Sequence, residues 1–285
     1  MKLLIYGDSF VNHNNYLDIQ NKQYCWPEKV AKNLGLNYIN NAVSGSSAEY
    51  SMYKFVKDIE NERIDSDDLV IYVQTNGNRL YSSHFIHKEP NMSCSFTGLS
   101  KKEIKLGPRY YYFRENYDHL VWHYNSIEPK VNSLHHESFL HSIKNYAVNN
   151  PGVKILLLLL ESMPEFGEMD HFGFLKNLPK NLYFPNLSLN SISRDEFVDD
   201  WNVGKWSRLI GYDPRLNHFS RPNLKTLVNL TTDTFKNGGV KDWTKDKFIT
   251  KIFSRADTLE EYLDYCNRKL LWCYPNIVEA YKKFR

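Results

Sequence analysis

Leu3-Leu4-Ile5-Tyr6-Gly7-Asp8-Ser9-Phe10 begins with four apolar residues that run straight into a Gly-Asp-Ser turn. A short apolar run bounded by a turn reads as a strand buried on both faces, the kind found in parallel sheets. In open α/β sheets, ligands bind outside the carboxyl ends of the strands. Ser9 stands at such an end, where a serine acts as a nucleophile if a base is beside it.

Working outward, the same rhythm recurs. Residues 26–34 read as a helix with Pro27 in its first turn, Trp26, Val30 and Leu34 on one face, and Gly35 ending it. A short strand over 38–40 leads into the loop 41–47. Ser47 caps a helix to about 59, with Tyr50, Tyr53, Val56 and Ile59 at helical spacing. Strands follow at 69–73 and 154–161, and a short fifth at 182–184, with helices at 133–149 and 224–230 between and after them. Asn150-Pro151-Gly152 stops the first of these helices. Alternating strands and helices imply a parallel sheet with right-handed crossovers. The expected fold is a three-layer α/β/α sandwich with a flavodoxin-like sheet of about five parallel strands.

Two stretches break the rhythm. Residues of about 80–132 are crowded with aromatics, including Tyr110, Tyr111, Tyr112 and Phe113, without a clean period, and read as an insertion over the carboxyl edge of the sheet. The tail from about residue 233 carries a helical stripe of Leu259, Tyr262, Leu263, Cys266, Leu270 and Leu271. The expected organisation is therefore one domain over 1–232, interrupted by the insertion, and a helical extension over 233–285 packed on it.

Composition narrows the function. A formal net charge of +3 supplies no strong field for nucleic acid or an anionic membrane. Only Arg109 and Arg114 flank the Tyr110–Phe113 run, too few for a phosphate-tracking groove. No apolar segment reaches the ~18 residues a membrane span needs. The first apolar run is too short for a signal peptide, so a cytoplasmic location is the default expectation, though release or carriage on a larger particle fits equally. The four cysteines form no CxxC pair, so neither a zinc site nor a disulfide framework is expected. His135-His136 and His84-x-x-His87 lack a carboxylate partner motif and read as surface histidines rather than metal ligands. No cofactor is expected, and the oligomeric state is open.

Four loops fall on one edge of the expected sheet. They hold Ser9; Asn41 to Gly45; Gln74-Thr75-Asn76-Gly77-Asn78-Arg79; and Tyr212-Asp213-Pro214-Arg215-Leu216-Asn217-His218-Phe219-Ser220. In order and placement they resemble the blocks of the SGNH (GDSL) hydrolase family: a Gly-Asp-Ser turn, a glycine loop, a Gly-x-Asn loop and an Asp-x-x-His loop. The resemblance covers roughly residues 1–80 and 133–232. It implies a serine esterase with Ser9 as nucleophile, His218 as base, and the Ser9 and Gly45 N–H groups with the Asn76 amide as oxyanion donors.

The chemistry asks for these residue types. Ester cleavage needs a nucleophile, a base and donors aimed at the developing oxyanion. An imidazole titrating near neutral pH can take the serine proton and return it to the leaving alcohol. One oxyanion donor is worth ~3 kcal/mol in the transition state. Two positions depart from the family pattern. Arg215 stands where the acid belongs, three residues before His218, so either Asp213 or a backbone carbonyl orients the imidazole. Gln74 replaces the glycine of the third block and alters the pocket wall, with Asn78 as a second candidate amide. Asp8 reads as a side chain that steadies its turn. Asp8, Gln74, Asn78, Tyr110 and Tyr112 are candidate substrate contacts, the tyrosines offering faces to a sugar or acyl chain. The expected substrate is a small acyl ester, an O-acetyl group on a carbohydrate ahead of a lipid. Acyl transfer to a sugar or alcohol, and an inactive binding module of the same fold, are the alternatives.

Overall fold

The computed structural model of the chain describes residues 1–8, 10–12, 25–43, 46–75, 129–160, 173–185, 187–193, 219 and 221–248. Five parallel strands form one sheet: β1 (Lys2–Tyr6), β2 (Asn37–Asn40), β3 (Leu69–Gln74), β4 (Lys154–Leu159) and β5 (Leu182–Tyr183), in the order β2-β1-β3-β4-β5. The registers fix the carboxyl edge. Ile5 lies opposite Asn40, Tyr6 opposite Tyr72, and Gln74 opposite Leu159. The order reverses beside β1, and such a switch point is where α/β sheets open a crevice.

Helices cover both faces. On one lie α1 (Trp26–Leu34), α4 (Leu189–Ser193) and α5 (Arg221–Asn237), packed on Leu3, Ile5, Ile71, Val73, Leu156 and Leu158. On the other, α2 (Ala48–Glu60) and α3 (Pro129–Asn149) pack on Leu4, Tyr6, Val70, Tyr72, Ile155 and Leu157. This alternation along each strand makes the three-layer arrangement. β1, β3 and β4 are apolar almost throughout because both faces are buried. Local signals set the helix limits. Pro27 sits in the first turn of α1, and Gly35, at φ 68°, ends it by sending its N–H back to Ala31 and Lys32. The Ser47 side chain accepts the Tyr50 N–H to cap α2.

Several boundaries differ from the sequence reading. β3 runs one residue further, to Gln74, because a polar residue with a buried partner can extend an apolar strand. β4 ends at Leu159 rather than 161. α3 starts at Pro129, a residue suited to a first helical turn. α5 runs from 221 to 237, so the expected boundary between 232 and 233 falls inside a continuous helix. That helix stays pinned to the core by Phe235 and by Trp243, whose Nε1–H donates to Thr234 Oγ1 at 3.0 Å. Most of the aromatic insertion and residues 249–285 lie outside the described residues. Among the described residues, no helix is long and apolar enough to cross a membrane.

Candidate functional site

The carboxyl edge of β1 begins with Gly7, at φ 141°. A Cβ there would stand 2.8 Å from Val73 Cβ and 2.9 Å from Val11 Cγ2, so only glycine lets β1 leave the sheet this close to β3. Asp8 follows, fully buried. Its Oδ1 accepts the Phe10 N–H at 3.0 Å, and its carbonyl accepts the N–H groups of Val11 and Asn12 at 3.2 and 3.0 Å. This is an Asx-type turn, which fixes the chain on both sides of position 9. Phe10 is held in turn, its carbonyl accepting Trp26 Nε1–H at 2.8 Å.

The loop after β2 is tied to that turn. Asn41 N–H donates to the Ile5 carbonyl at 2.8 Å. The Gly7 carbonyl accepts twice, from the Val43 N–H at 3.1 Å and from Ser46 Oγ at 2.9 Å. Val43 and Ser46 are therefore both tied to Gly7. Beneath them, Asp58 Oδ2 takes the Tyr6 hydroxyl at 2.8 Å and Asn41 Nδ2 at 2.6 Å. One buried carboxylate thus links the end of β1 to the start of the second loop. Burial, then the bond to Asp58, pushes the Tyr6 hydroxyl far above its ordinary range, so it stays a donor at any physiological pH.

The loop after β3 joins the same set. Thr75 Oγ1 donates to Asp8 Oδ2 at 3.0 Å. Gln74 Nε2 donates to His136 Nδ1 at 2.9 Å. The fourth loop reaches the site at Phe219, whose ring meets that of Phe10 edge-on, centroids 5.3 Å apart.

Of the residues singled out from sequence, Asp8 and Gln74 are described and stand together at this edge. Ser9, Gly45, Asn76, Asn78, Tyr110, Tyr112, Asp213 and His218 lie outside the described residues. What is on view is the frame around them. The turn after β1 meets three other loops, Gly7 touching Ser46, Asp8 touching Thr75 and Phe10 touching Phe219.

One expectation is corrected. His135 is exposed, but His136 is fully buried and bonded to Gln74, not a surface histidine. The signal was in the helical spacing, since His136, Leu140, Ile143 and Ala147 share one stripe of α3, and all four are buried. Thr75, Ser46 and Asp58 were also missed; nothing local marks them, because their partners come from distant loops. Cys25, at the N-cap of α1, has the position of a reactive thiol, yet burial outweighs the helix terminus and pushes it up to about 11. It is a protonated core residue. Among the described residues, no three His, Cys, Asp or Glu side chains are grouped to hold a metal ion. Compared with known families, with curated proteins and with solved structures, the chain matches none.

Proposed function

We propose that the chain is a serine esterase of the SGNH type, acting on small acyl esters, O-acetyl groups on a carbohydrate foremost. Ser9 Oγ attacks the ester carbonyl while His218 takes its proton. The C–O bond to the alcohol then breaks, His218 returns the proton to the leaving oxygen, and an acyl-Ser9 ester remains. Water, deprotonated by the same imidazole, attacks that ester and releases the acid and free Ser9. The N–H groups of Ser9 and Gly45 and the Asn76 amide hold the negative charge on the tetrahedral oxygen. Asp213 or a backbone carbonyl orients His218, since Arg215 cannot accept from an imidazole N–H.

The single observation that supports this reading is the convergence of the four loops. Asp8 to Thr75, Gly7 to Val43 and Ser46, and Phe10 to Phe219 are the contacts that bracket the four reactive positions. Acyl transfer needs such convergence, because reacting groups must be held within a fraction of an ångström. An isolated Gly-Asp-Ser turn would carry no such requirement. Turnover of p-nitrophenyl acetate by wild type, lost at least about a thousandfold in a folded Ser9→Ala variant, is the expected result. Equal activity in the two proteins would overturn the proposal.

A further inference from the structure

The exit of β3 is held from both faces of the sheet. Successive strand residues point to opposite sides. Gln74 turns to the face covered by α2 and α3 and meets His136; Thr75 bonds to Asp8 in the turn after β1. All four side chains are fully buried. The strand's main chain is fixed as well, the Gln74 carbonyl accepting the Leu160 N–H at 2.9 Å.

Gln74 is costly where it stands. Its Oε1 is buried without a hydrogen-bond partner, so the amide is anchored through Nε2 alone. The neighbours on its face, Val70 and Tyr72, show that the strand accepts an aliphatic and an aromatic side chain there. A polar residue that stability does not ask for points to a positional role. The amide nitrogen can only donate, so His136 Nδ1 accepts and the neutral ring carries its proton on Nε2.

We propose that His136 is a positioning residue for the oxyanion loop. It acts through Gln74, and the Asp8–Thr75 bond is the second point of the same clamp. Asn76 follows directly on Gln74 and Thr75, and an oxyanion donor must stand about 2.7–3.1 Å from the developing charge. Fixing the two preceding residues from opposite faces removes the freedom that would blur that distance. The inference rests on the esterase reading, and it assigns a function to the buried histidine that the four sequence blocks leave unused.

The test uses the full chain, p-nitrophenyl acetate and a fluorophosphonate probe. His136→Phe keeps a ring but cannot accept; His136→Asn restores an acceptor near the place of Nδ1. Thr75→Val and Thr75→Ser form the matching pair at the other point. The phenylalanine and valine variants should lose roughly 10- to 100-fold in kcat with KM within about twofold, while still labelling at Ser9. The asparagine and serine variants should recover kcat to within about threefold of wild type. If His136→Phe does not fold, Gln74→Met removes the same bond from the strand side and is read the same way. A wild type that turns over and labels, with the phenylalanine and valine variants equal to it in kcat, overturns the clamp alone. So does a loss that the asparagine and serine variants share in full. A wild type that neither turns over nor labels ends both readings.

Discussion

The two ends of the sheet are finished in different chemistry. At the amino end, charges close on one another. Asp68, fully buried, accepts the Lys2 N–H at 2.7 Å and the Asp65 N–H at 2.8 Å, and the Lys2 ammonium lies 2.7 Å from its Oδ2. At the carboxyl end, Asp8 and Thr75, and Gln74 and His136, are buried in side-chain hydrogen bonds to each other, and some buried atoms find no partner: Tyr72 Oη, Gln74 Oε1 and Glu49 Oε2. One end satisfies its polar groups and fastens β1 to the loop before β3. The other leaves buried polar atoms unpartnered near the edge where β1 and β3 give way to their loops.

If that contrast is right, substitutions at the two ends should separate stability from activity. The largest effect is expected at Gly7→Ala. The new Cβ meets Val73 and the backbone must leave φ 141°, a cost of about 3 kcal/mol. Because the Gly7 carbonyl holds Val43 and Ser46, ester turnover should fall with it, read by kcat on the folded fraction. Asp68→Ala should cost about 2–3 kcal/mol by leaving two part-buried N–H groups and a lysine short of a partner. That lowers Tm by roughly 5–10 °C while kcat of the folded protein stays at wild type. A drop in kcat there would erase the contrast.

Cys25 gives a pH arm. Its thiol is pushed up to about 11 in the fold, above the ordinary cysteine value of 9.0. The unfolded chain therefore loses its proton first. The contribution is complete below the unfolded value and disappears as pH rises to the folded one, on the order of 2–3 kcal/mol. Thermal unfolding followed from pH 8 to 11 should show this fall, and iodoacetamide at pH 8 should modify Cys25 only after urea is added. The smallest effect sharpens the comparison most. Tyr72→Phe removes a buried hydroxyl that has no partner, so Tm should stay level or rise by up to about 1 kcal/mol equivalent. A clear loss would mean the hydroxyl is bonded after all.

Much of the fold was legible because its determinants are local. Leu69 to Val73 and Ile155 to Leu159 are apolar without interruption, which a strand covered on both faces requires. Pro27, Gly35 and Ser47 act on their own helix ends. That the turn after β1 and the loops after β2 and β3 leave the sheet on one edge was legible for a related reason, since a loop following a buried parallel strand must emerge at the carboxyl edge. The frame around it was not. Thr75 meets Asp8 across 67 residues, His136 meets Gln74 across 62, and Asp58 meets Tyr6 across 52. Which polar side chain answers which is decided by how helices seat on the sheet, and a one-dimensional pattern does not carry that. His136 was read as a surface residue, although the stripe it shares with Leu140, Ile143 and Ala147 carried the signal of its burial.

The central claim is that Ser9 is an activated nucleophile. Incubating the folded full-length chain with a fluorophosphonate probe and mapping the adduct by peptide mass spectrometry tests it most directly. The serine oxygen displaces fluoride from phosphorus, a reaction that requires the base and the oxyanion donors together. The account predicts a single adduct on Ser9, absent from the Ser9→Ala variant. A folded wild type that remains unmodified, or that carries the adduct on another residue, would contradict it.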